Sequence, residues 1–77
     1  MNTRERQAKV ELLREISEEI GRITGTAPYM YANCPNTSDG TGAEYFHFQG
    51  DVRATGVDAA LSHVREIARN TPGATLR

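Results

Sequence analysis

Two apolar stripes at helical spacing, one near each end of the chain, set the terms of the fold. Ala8, Leu12, Leu13, Ile16, Ile20 and Ile23 recur at intervals of three and four, the period at which side chains share one side of an α-helix. Val57, Ala60, Leu61, Val64, Ile67 and Ala68 repeat the pattern. Neither helix can bury its stripe alone, so both must lie on a shared apolar surface.

The first helix is predicted over residues 2–24. Asn2 serves as its cap with Glu5 three residues on, the spacing of a capping box. Gly25 ends it, because glycine accepts the left-handed conformation past a helix end. Gly21 weakens the last turn by about 1 kcal/mol relative to Ala. Upstream of Ala8, Glu5 and Lys9 occupy the angle of the apolar stripe, so residues 1–7 are expected to overhang the core. The second helix starts at a Thr55 cap, with Asp58 at its positive end and Arg65 and Arg69 at its negative end, each placed to suit the helix dipole. Thr71-Pro72-Gly73 stops it.

Between the helices lie two aromatic-rich alternating segments, 29–34 and 44–49, which read as strands. The stretch 35–43 that joins them is made of small and turn-forming residues, with a tight turn at Asp39-Gly40. Gly50-Asp51 marks a second turn, and Val52–Ala54 a short third strand. The predicted fold is α+β. A small antiparallel sheet of two or three strands carries both helices on one face, in the order α-β-β-(β)-α.

Alternation along the strands then sorts their side chains. Met30, Ala32, Cys34, Phe46 and Phe48 are predicted to face the helices. Tyr29, Tyr31, Asn33, Tyr45, His47 and Gln49 are predicted to face away. Tyrosine joins a broad apolar ring to a polar tip and is favoured in contact surfaces. Tyr29, Tyr31, Tyr45 and His47 are therefore the candidate protein-binding residues. Glu11, Glu15 and Glu18 follow one edge of the first helix and form a second candidate patch, suited to a basic partner surface. A second copy of the chain is one partner such a face accepts.

The totals narrow the chemistry. Seventy-seven residues make one small domain. A net charge of −1 disfavours gripping phosphate by charge alone. No apolar run is long enough to cross a membrane, and the polar start from Met1 to Arg6 carries no signal-peptide core, so the expected compartment is cytoplasmic. Cys34 is the sole cysteine, which excludes an intrachain disulfide and a multi-cysteine zinc site. By strict alternation Cys34 and His47 point to opposite faces, and His63 falls on the polar side of the second helix. Those three residues build no nucleophile or metal site. The glutamates lie on an open helix edge rather than in a cleft. The 37–42 loop lacks the lysine and spacing of a phosphate loop. The expectation is a non-enzymatic domain without metal or cofactor.

Two resemblances follow. The order helix, three strands, helix resembles the double-stranded-RNA-binding domain, which implies phosphate contacts at the start of its last helix. Here that position reads Thr55-Gly56-Val57-Asp58-Ala59, with an acid and no lysine. By its small size and lack of catalytic motifs the chain also resembles phage and mobile-element inhibitors of the anti-CRISPR type. That resemblance implies steric blocking of a host protein complex that handles nucleic acid, with direct nucleic-acid binding the alternative.

Overall fold

A computed structural model describes residues 3–25, 28–35 and 43–74. It has two helices and a three-stranded antiparallel sheet, ordered α1 (Thr3–Thr24), β1 (Met30–Cys34), β2 (Tyr45–Phe48), β3 (Val52–Thr55) and α2 (Val57–Arg69). The strands lie in sequence order, β1-β2-β3, so β2 is central. This is the α+β arrangement that the two stripes and the aromatic alternation predict. The Asn2 cap, the Asp39-Gly40 turn and residues 75–77 lie outside the described residues.

Phe46 and Phe48 of β2 are fully buried beneath both helices. Around them close Val10, Leu13, Ile16 and Ile20 from α1 and Val57, Ala60, Leu61, Val64 and Ala68 from α2. Three members of the predicted α1 stripe behave otherwise. Ala8 is exposed and Leu12 and Ile23 are only half-buried, whereas Val10 is buried. The buried arc is centred on Leu13 and Ile20, about one residue's rotation from the stripe as read, and takes in Ser17 and Gly21.

Toward the N-terminus the core-facing angle of α1 passes from apolar to basic residues, and these are tied down by ion pairs. The Arg6 guanidinium grips both carboxylate oxygens of Glu44, with Nε 2.9 Å from Oε1. Lys9 Nζ lies 2.6 Å from Asp58 at the start of α2. Within the expected overhang Arg6 is thus anchored to Glu44, just ahead of β2, and Lys9 beyond it to the first turn of α2.

Three local details fix the connections. Gly50 (φ 79°) and Asp51 (φ 62°) turn β2 into β3, with Phe48 opposite Val52. Gly56, at φ 88° and ψ 149°, is the N-cap of α2 in place of the predicted Thr55, and no side chain caps the helix. Thr55 is held in β3 opposite Tyr45 instead. Gly25 ends α1 at φ 74°, as a glycine past a helix end does.

Candidate functional site

The face of the sheet away from the helices carries the candidate site. Its geometry turns on one irregularity. Met30 pairs with Phe48, but the next pair is Ala32 with His47, followed by Asn33 with Phe46 and Cys34 with Tyr45. β1 advances two residues where β2 advances one, so Tyr31 is the extra residue of a β-bulge. Directly opposed residues of an antiparallel pair share a face. Beyond the bulge, therefore, Ala32 and Cys34 join His47 and Tyr45 on the open face, and Asn33 moves to the helix side. This reverses the predicted sides of Ala32, Asn33 and Cys34. It also corrects the expectation that Cys34 and His47 point apart.

On this open face the side chains form a continuous row. The Tyr31 ring stacks on His47 with centroids 5.6 Å apart. His47 meets the edge of Tyr45 at 5.1 Å. The Arg53 guanidinium carbon sits 3.8 Å over the centre of the Tyr45 ring, a cation–π contact. Arg53 reaches that ring because it lies opposite His47 across β2 and β3. Tyr31 is 56% exposed, the large apolar side chain most open to solvent among the described residues. Arg53 completes the row and is absent from the predicted set. Its signal was present in the sequence, two residues before Thr55 on the outward side of a short strand.

Tyr29 does not belong to this face. It precedes β1 at a bend, where its N–H donates to Ser17 O of α1 at 3.2 Å and its carbonyl accepts from Gln49 N–H at 3.0 Å. These two bonds turn the ring toward the helices, where it stacks on Phe48 at 5.4 Å. Its hydroxyl lies 2.8 Å from Nε2 of His63. The His63 ring also packs on Phe48 at 4.8 Å. His63 is thus a half-buried member of the core margin rather than plain surface. Burial holds its imidazole below the ordinary value and pushes the Tyr29 phenol above its own.

Glu11, Glu15 and Glu18 are exposed along α1 as predicted. Arg14 and Arg22 are exposed on the same turns, so the edge carries both signs. Arg22 approaches Glu19 at 3.8 Å. Glu18 and Arg14 meet Tyr31 and Asn33 across a groove of about 290 Å³ between α1 and β1. The two predicted patches therefore adjoin at this groove. Among the described residues, no three His, Cys, Asp or Glu side chains converge on one point. No described helix is long and apolar enough to cross a membrane.

No family model, curated protein or solved structure matches the chain. The functional reading therefore rests on this geometry.

Proposed function

We propose that this chain is a non-enzymatic protein-binding module that docks through the open face of its sheet. The row Tyr31, His47, Tyr45 and Arg53 carries the reading. These side chains already hold one another through ring and cation–π contacts, so covering them costs little further ordering entropy. Tyrosine and arginine are also the residue types that most often dominate binding energy. In the form suggested by the resemblance to small phage inhibitors, the module is cytoplasmic and covers a working surface of a host nucleic-acid-handling complex of the CRISPR type. Steric exclusion then suffices, without catalysis or cofactor.

The double-stranded-RNA-binding alternative has less behind it. Where those domains meet phosphate, the first turn of α2 carries Asp58, and the nearby Lys9 is paired with it at 2.6 Å. Fluorescence anisotropy with a 16-base-pair RNA duplex and with a 12-nucleotide thymidine strand separates the readings. A protein-binding module leaves both probes free at 0.05 to 0.15 M salt. Binding that weakens steeply with salt and requires Arg53, Arg65 or Arg69 overturns the proposal.

A further inference from the structure

β1 is an edge strand: it pairs with β2 on one side, and no described strand pairs with its other side. The ladder fixes which of its backbone groups point outward. Gly56 N–H donates to Glu44 O at 3.0 Å, and Gln49 N–H donates to Tyr29 O at 3.0 Å. In an antiparallel sheet these bonds turn the backbone groups of Phe46 and Phe48 toward β3 and those of Tyr45 and His47 toward β1. On β1 the residues opposite Phe46 and Phe48 are Asn33 and Met30. The N–H and C=O of Met30 and Asn33 therefore point away from the sheet, and they meet no partner among the described residues. The groove between α1 and β1 runs along this edge. It is lined by Ala32 from the open face and by Met30 and Asn33 from the helix side, with Arg14, Ser17 and Glu18 as its α1 wall. We infer that this groove takes an extended segment of a partner protein, whose main chain pairs with Met30 and Asn33 as a short fourth strand. The inference rests on the protein-binding reading and adds an edge contact to the open face, which the groove joins at Tyr31.

The chemistry of the edge selects the occupant. An extended main chain presents N–H and C=O groups at a fixed repeat, which is what an unpaired strand edge lacks. Met30 and Asn33 stand opposite Phe48 and Phe46, two residues apart on a regular strand. The bulge thus leaves their outward groups at the ordinary two-residue repeat, about 7 Å. A second copy of β1 fits less well, because it sets its own bulge against this one. Beyond Asn33 the next outward position is Pro35, which has no N–H to give. A bulge and an edge proline are devices that stop sheets from fusing edge to edge, and they leave room for a segment of a few residues. On the α1 wall, Arg14 and Glu18 stand one helical turn apart with opposite charges. Ser17 is buried there with a hydroxyl that has no hydrogen-bond partner. The wall therefore offers polar contacts to the side chains of an added strand.

A random 12-residue peptide library displayed on phage, panned against the full chain, supplies the probe. Three variants, each shown to be folded by circular dichroism, are compared with the wild type. Asn33→Pro removes the outward N–H and leaves the ladder to β2 intact. Asn33→Ala changes the side chain and keeps that N–H. Tyr45→Ala alters the open face alone. Enriched peptides should bind Asn33→Pro about 10- to 100-fold more weakly than Asn33→Ala, the range for a hydrogen bond lost with its partner left unsatisfied. In a synthetic copy of one such peptide, N-methylation at every second residue should cause a similar loss, and N-methylation at the residues between should not. That two-residue period is the signature of an added strand, and the scan needs only wild-type protein, so it decides the matter even if Asn33→Pro does not fold. Peptides that weaken on Tyr45→Ala, bind Asn33→Pro as well as Asn33→Ala and show no alternation overturn the edge inference and leave the open-face reading standing. Peptides with neither dependence, or no enrichment on folded protein, overturn both.

Discussion

The hydroxyl of Tyr29 lies 2.8 Å from Nε2 of His63, linking the start of the sheet to the middle of α2 across 34 residues of chain. Both rings pack on Phe48, so the pair closes one side of the core. Replacing Tyr29 by Phe keeps the ring and removes the hydrogen bond. The expected loss is about 0.5–1.5 kcal/mol, read as a lower urea midpoint with an unchanged slope.

The same pair makes stability depend on pH. Burial holds folded His63 below its ordinary value, so the unfolded chain takes up the proton first as pH falls. Its contribution is complete above the unfolded value of about 6.5 and is lost as pH drops from there through the folded value. Urea midpoints measured from pH 7.5 down to 5.5 should fall more steeply for the wild type than for His63→Gln. Equal slopes for the two proteins would remove His63 from the account.

The two sides of β2 should respond very differently to truncation. Phe48 is fully buried, and Phe48→Ala should cost about 3–5 kcal/mol, much of the stability of a domain this small. Tyr45, on the open face, should cost about 1 kcal/mol or less, the scale of cross-strand aromatic contacts. Thermal melts of the two variants check the assignment of faces.

Gly56 caps α2 at φ 88° and ψ 149°, a region that essentially only glycine occupies. A Cβ there meets open space, so Gly56→Ala pays for backbone strain alone, about 1–3 kcal/mol. Thr55→Ala should cost less, because Thr55 is an exposed strand residue and makes no cap. If Thr55→Ala proves the more damaging change by denaturation, the capping assignment is reversed.

These contrasts show where the sequence is legible. Helical stripes survive small errors of angle: Leu13, Ile16, Ile20, Leu61 and Val64 are buried as their spacing predicts, although Ala8 and Val10 exchange roles. Strand faces have no such tolerance, because a single extra residue moves every later side chain to the other side. The bulge at Tyr31 did this to Ala32, Asn33 and Cys34, and nothing in Tyr-Ala-Asn marks a bulge. Tyr31, Tyr45 and His47 were placed correctly, since the β2 pattern is regular and Tyr31 itself stays outward. Tyr29 and His63 were misread because their pairing depends on how α2 crosses the sheet. That is long-range geometry, and local period carries no record of it. Arg6 and Lys9 tell the same story, since polar residues at a core angle look like fraying until Glu44 and Asp58 are seen opposite them.

The central claim is that the open sheet face is the contact surface. Its most direct test places a photo-crosslinking amino acid at position 31, and separately at the exposed helix position 59, in otherwise wild-type protein irradiated in the source or host cell. The account predicts one stoichiometric protein adduct from position 31, absent when Tyr45 and Arg53 are also replaced by Ala, and none from position 59. Adducts from position 59 alone, or nucleic acid in place of protein at position 31, would contradict it.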